Sequence, residues 1–172
     1  MRLFLVGYMC SGKTTLGKYL ADKLSYVFVD LDEYIEENEN MCISDIFKKA
    51  GESTFRKIEN KYLKDLCLMD NIVIATGGGT PCNYNNMPLI NSSGVSVYIQ
   101  TSPAVLIDRL LVMGKNRPIV AGKNLAELDE FVRSHLKGRE RFYQKANISI
   151  NGDVWDIEKI AKELIQKLET II

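Results

Sequence analysis

The chain has 172 residues, 46% of them hydrophobic and 26% charged, the proportions of one globular domain with a core of its own. Its 22 Lys and Arg balance its 22 Asp and Glu, which argues against nucleic acid as the main partner, because binding a phosphate backbone needs a basic excess. No apolar run approaches the ~18 residues of a membrane span, and the apolar start at residues 1–7 stops too soon for a signal peptide.

Short apolar runs alternate with longer mixed stretches. Residues 3–6 read as a buried strand and residues 13–24 as a helix, with Leu16, Tyr19, Leu20 and Leu24 at helical spacing. Residues 27–29 form a second strand ending at Asp30. Ser44 is placed to cap a short helix that stops at Gly51, and residues 52–68 read as another helix. Residues 72–75 and 95–99 are further strands. Ser102-Pro103 opens a helix that runs to about Met113, because proline suits the first helical turn. Residues 114–123 read as loop, 125–143 as helix, 148–150 as a last strand and 154–168 as a final amphipathic helix. Nearly all-apolar strands alternating with helices imply a parallel sheet covered on both faces. In such sheets ligands bind beyond the carboxyl ends of the strands, which directs attention to the segments after Val6, Val29 and Ala75.

The strongest motif is Gly7-Tyr8-Met9-Cys10-Ser11-Gly12-Lys13-Thr14, a complete phosphate-loop pattern between a strand and a helix. Glycines let backbone N–H groups turn inward around phosphate oxygens, and the helix N-terminus adds its positive end. Lys13 then reaches the β- and γ-phosphates, and the Thr14 hydroxyl ligates magnesium. Next come Asp30 and Asp32. If this stretch is extended, the two carboxylates share a face at the ligand edge. One then serves a metal ion through water, and the other aims a nucleophilic hydroxyl. The plainer alternative is an acidic first turn of a helix. Thr76-Gly77-Gly78-Gly79 permits positive φ and close approach of backbone donors. Arg56, Arg117, Arg139 and Arg141 are isolated cations that suit a carboxylate or phosphate, though singly each reads as a surface charge. His135, the one histidine, reads as a surface helix residue. Cys10, Cys42, Cys67 and Cys82 form no C-x-x-C pair and read as reduced thiols of a cytoplasmic protein.

Taken in order, Asp30-Leu31-Asp32 with Ile35-Glu36, Gly51-Glu52 with Phe55-Arg56 and Glu59, Ala75-Thr76-Gly77-Gly78-Gly79, Asn116-Arg117-Pro118 and Arg139 four residues before Tyr143 resemble the shikimate kinases over almost the whole chain. The resemblance implies a three-layer α/β phosphate-loop fold, with a five-stranded parallel sheet in order 2-3-1-4-5. It implies one domain over 1–172 with a mobile lid at about 113–124, acting as a monomer on ATP, magnesium and shikimate to give shikimate 3-phosphate and ADP. It assigns nucleotide binding to Gly7, Cys10, Ser11, Gly12, Lys13, Thr14, Thr15 and Arg117, and magnesium to Thr14 and Asp30. Catalysis falls to Lys13, Asp32 and Arg117. Shikimate binding falls to Asp32, Arg56, Gly77, Gly78, Gly79 and Arg139. Arg109 is a candidate to pack on adenine. Cys10 departs from the small residue often found at its position, and Pro81-Cys82 is a less familiar continuation of the glycine loop. Two other readings compete. A gluconate or nucleotide kinase of the same fold is disfavoured by the motif order. A non-catalytic guanine-nucleotide switch lacks its Asn-Lys-x-Asp reader, since Asn60-Lys61 is followed by Tyr62 and Leu63.

Overall fold

The computed structural model describes residues 1–113, 124–154 and 156–170. Five parallel strands, β1 (Arg2–Val6), β2 (Val27–Asp30), β3 (Ile72–Ala75), β4 (Val95–Gln100) and β5 (Ile148–Asn151), form one sheet in the order β2-β3-β1-β4-β5. This is the order that the resemblance implied. The described helices are α1 (Lys13–Leu24), α2 (Leu31–Glu39), α3 (Ile43–Leu66), α4 (Asn86–Ser93), α5 (Pro103–Met113), α6 (Leu125–Tyr143) and α7 (Ile157–Glu169), with a 3-10 turn at Thr80–Cys82.

Alternation along β1 divides the core in two. Leu3 and Leu5 face α1 and α7 together with Val73, Val97 and Ile99. Phe4 and Val6 face the opposite layer, where Leu31, Leu63, Leu106, Val132 and Tyr143 pack with Ile72, Ile74 and Tyr98. Leu3 to Val6 are fully buried, so the central strand reads as the uniform apolar run seen in the sequence. The register is level at the ligand edge. Leu5 and Asp30 both pair with Ala75, so the segments leaving β1, β2 and β3 emerge side by side.

Several elements differ from the sequence reading. Ser44 is not a cap, since Cys42 stands at the N-cap of α3 with no side-chain hydrogen bond, but the break expected at Gly51 is present: Gly51 is non-helical, and α3 is two helices meeting there at a kink. The kink needs φ +77, a region open to glycine and strained for other residues. Residues 86–93 form a helix that the sequence did not announce. Its periodicity is weak, and it is fixed by burial of Asn86, Met87 and Ile90. The last helix begins at Ile157 rather than at 154, because the Asp156 side chain accepts from the Lys159 N–H and caps it there. The expected loop at 114–123 lies outside the described residues, between the end of α5 and the Asn124 cap of α6, whose side chain and Glu127 form a reciprocal capping box.

Candidate active site

The phosphate loop leaves β1 and closes on α1. Gly7 (φ +148), Cys10 (φ +60) and Gly12 (φ +103) turn the backbone through the left-handed side of conformational space. A side chain at Gly7 would also press on the Ile99 carbonyl at 3.0 Å. Cys10 takes a conformation that glycine adopts at no steric cost, which gives the departure at this position a backbone meaning. The Lys13 ammonium is buried and donates to the Gly7 and Tyr8 carbonyls, at 3.0 and 2.8 Å. Arg109, from α5, donates to the Cys10 and Ser11 carbonyls and, at 2.7 Å, to the Gly152 carbonyl beyond β5. It therefore braces the loop against the far strand.

Asp30 ends β2 and is the N-cap of α2, while Asp32 lies in the first turn of α2. The two carboxylates are not the alternate residues of one extended stretch. They meet because the chain turns into a helix between them, so the acidic first turn and the ligand-edge placement are both true. One Asp30 oxygen accepts from the Asp32 N–H (3.1 Å) and the other from the Thr14 hydroxyl (2.9 Å). Asp30 and Asp32 line a cleft of ≈ 400 Å³ with Cys10, Lys13, Thr14 and Thr15. Burial, then the charges of Asp30 and Glu59, raise the Asp32 carboxyl to about 6, against the opposing pull of Lys13 and Arg56.

A second cavity of ≈ 270 Å³ adjoins the first and shares Met9, Asp32, Gly77 and Gly78 with it. Its polar wall carries Arg56, Glu59 and Arg139, and its apolar wall includes Phe47 and Phe55. Arg56 is held from two sides. Glu59, fully buried one turn ahead, accepts from Nη1 at 3.0 and 3.2 Å, and Glu52 accepts from Nη2 at 3.2 Å. Glu59 is held in turn by the Thr80 hydroxyl at 2.6 Å. Arg139 takes part in none of the ion pairs among the described residues.

The triple glycine serves close approach rather than positive φ. None of Gly77, Gly78 and Gly79 is among the positive-φ glycines. A Cβ at Gly77 would stand 2.8 Å from the Asp32 carboxylate. One at Gly79 would stand 2.7 Å from the Arg56 guanidinium, and one at Gly78 would stand 3.4 Å from that of Arg139. The Gly78 carbonyl accepts from the Tyr143 hydroxyl at 2.5 Å.

Cys10, Gly12, Lys13, Thr14, Thr15, Asp30, Asp32, Arg56, Gly77, Gly78, Gly79 and Arg139 thus border one or other of the two joined cavities, with Gly7 and Ser11 in the loop itself. Arg117 lies outside the described residues. His135 is not a plain surface residue, since it is half-buried against Tyr8 and Phe131. Glu59 stood in the recognised motif without a role. Its spacing of three from Arg56 on one helix was the signal that could have assigned one. Thr14 and Asp30 offer a hydroxyl and a carboxylate 2.9 Å apart, hard oxygen donors of the kind magnesium takes.

A model of the shikimate kinase family matches residues 9–169. A curated shikimate kinase from Bacteroides thetaiotaomicron is 42% identical over 173 residues, covering 98% of this chain and 99% of its own length. The crystal structure of a shikimate kinase from that organism superposes with a TM-score of 0.94 at 42% identity over 98% of both chains. A shikimate kinase from Acinetobacter baumannii, solved in complex with shikimate, gives 0.89 at 32% identity over 98% of this chain and 93% of its own. Family model, full-length relatives and a shared architecture agree: the chain belongs to the shikimate kinase family.

Proposed function

We propose that the chain transfers the γ-phosphoryl group of ATP to the 3-hydroxyl of shikimate, giving ADP and shikimate 3-phosphate on the route to chorismate and the aromatic amino acids. The observation that carries this reading is the shared wall: Asp32, Gly77 and Gly78 border both the phosphate-loop cleft and the arginine-lined cavity. A donor in one and an acceptor in the other would meet across the Asp32 carboxylate.

The chemistry follows from positioning and charge, which is most of what phosphoryl transfer requires. The loop from Gly7 to Thr15 wraps the phosphates with backbone donors. Lys13, already aimed along the loop, neutralises charge on the moving group. Thr14 and Asp30 would hold magnesium, which when bound supplies further neutralisation of the phosphate oxygens. Asp32 hydrogen-bonds the attacking hydroxyl and, in its ionised form, accepts its proton. Arg139 takes the shikimate carboxylate, supported by Arg56 at the mouth that Gly79 leaves open, and the backbone of residues 77–79 completes the pocket. Arg117 is assigned to the phosphates by family resemblance, on a lid at about 113–124.

The same reading takes residues 1–172 as one kinase domain, monomeric and cytoplasmic, with no nucleic-acid partner. The zero net charge supports the last of these. Among the described residues no helix is long and apolar enough to cross a membrane.

The test is ADP release from MgATP with shikimate, gluconate, AMP or no acceptor in parallel. Turnover with shikimate alone is expected. Turnover with another acceptor, or none with any, overturns the assignment of Arg139 and Arg56.

A further inference from the structure

Tyr8 occupies a position that the phosphate-loop pattern leaves open, and it lines neither cavity. Yet its side chain is among the largest that are fully buried. Its hydroxyl lies 2.9 Å from Nδ1 of His135, across 127 residues of sequence. The two rings meet edge to face, 5.6 Å between centroids and 84° between planes. One turn further along α6, the Arg139 guanidinium stands 5.9 Å from the centre of the Tyr8 ring. One turn back, Phe131 packs on the imidazole at 5.0 Å. Phe131, His135, Arg139 and Tyr143 recur every four residues and form one stripe on α6. The stripe grips the phosphate loop through Tyr8 and the glycine loop through the Gly78 carbonyl.

We propose that the Tyr8–His135 hydrogen bond is a positioning latch that registers the phosphate loop against α6. It thereby sets the phosphoryl donor on Lys13 in line with the acceptor on Arg139. This rests on the shikimate kinase reading. The link to the chemistry is short, because the Tyr8 carbonyl is one of the two that hold the Lys13 ammonium. The next residue, Met9, lines both cavities with Gly78, and its backbone nitrogen is 3.4 Å from where a Gly78 Cβ would stand. A shift of Tyr8 therefore moves Lys13 and the shared wall together. The proton inventory suits a fixed bond. Burial keeps Tyr8 a phenol, pushed up to about 12. Burial and the Arg139 charge keep the imidazole below its usual range, against the weaker opposing pull of Glu52 from α3. In the proposed latch the phenol donates and Nδ1 accepts near neutral pH, leaving the ring proton on Nε2.

Each substrate has anchors of its own, so the latch governs register more than affinity. An error of about 1 Å in register costs up to about 100-fold in rate. Tyr8→Phe and His135→Leu should each lower kcat by about five- to tenfold, with both KM values within about twofold of the parent. The double variant should be no slower than the slower single one, because both remove one bond. His135→Asn, whose amide oxygen can replace Nδ1 as acceptor, should recover most of the loss. Parental kcat in both single variants, losses that multiply, or a thermal shift with unchanged kcat would each overturn the latch. His135 is the one histidine of the chain, so nitrogen-15 NMR of the untagged protein observes a single imidazole. Tyr8→Phe should shift the Nδ1 resonance and raise the pKa of the ring. An unchanged imidazole spectrum overturns the latch whatever the acceptor is, whereas failure of the parent to phosphorylate shikimate overturns the reaction and leaves the spectrum to decide the latch.

Discussion

Replacing Asp32 by Asn separates what the cleft needs for catalysis from what it needs to fold. In the folded chain the carboxyl is raised from its ordinary 3.8 to about 6, first by burial and then by Asp30 and Glu59. Between those two values the native state binds more protons than the unfolded chain, so ionisation destabilises the fold progressively as pH rises through that window. The penalty is complete above about pH 7 and amounts to at most about 3 kcal/mol. At pH 4.5 it has fallen to about 1 kcal/mol. An Asn of nearly the same shape carries no charge to desolvate. Asp32→Asn should therefore be the more stable protein at pH 7.5, with Tm higher by up to about 6–12 °C, and this gain should shrink steadily towards pH 4.5. The same protein should bind ATP normally but turn over at least about tenfold more slowly, having lost the group proposed to orient and deprotonate the acceptor. Urea unfolding across this pH range, paired with ADP release, reads both quantities. A stability difference that does not change with pH would refute the electrostatic account. Undiminished turnover would refute the role in proton transfer.

Arg139→Ala should raise KM for shikimate far more than KM for ATP, measured by varying each at saturation of the other; the reverse pattern would place Arg139 on the nucleotide. Gly79→Ala should act on Arg56, since the new methyl carbon would stand 2.7–2.9 Å from its guanidinium, which Glu59 and Glu52 prevent from swinging clear. Overpacking of this kind costs roughly 1–3 kcal/mol of folding stability, and displacing Arg56 by enough to lose about 1.4 kcal/mol of binding would raise KM for shikimate by about tenfold while ATP binding measured by titration calorimetry stays as it was. A silent Gly79→Ala would show that Arg56 is not confined.

Where local chemistry decides, the sequence was readable. The bounds of α1 follow from apolar spacing, and the phosphate loop from its own pattern. The fold order came with the resemblance rather than from periodicity. What stayed hidden was decided at long range. Asp32 reads as part of an extended pair until the helix beginning at Leu31 is seen to turn it beside Asp30. The helix at 86–93 has little amphipathic signal of its own and depends on the burial of Asn86, whose amide bridges Asn60 and the Thr80 carbonyl. His135 looks solvated on its helix because its partner lies in the first loop of the chain. The glycine triplet announces backbone freedom, yet its function is the space it leaves for three different side chains.

The Arg56–Glu59 pair has a consequence for the order of events after transfer. Because Glu59 already neutralises Arg56, Arg139, which takes part in none of the ion pairs among the described residues, is the guanidinium proposed to meet the acid's carboxylate. Phosphorylation adds about −1.5 to −2 charges to the bound acid, beside the buried carboxylates of Asp32 and Glu59. With Asp32 and Glu59 set against Arg56 and Arg139, the lining is neutral when empty, carries one net negative charge with the reactant bound, and carries more with the product. This negative lining opposes the hold of Lys13 on the transferred group and favours release of the phosphorylated acid, so shikimate 3-phosphate should inhibit the enzyme only at concentrations well above the KM for shikimate.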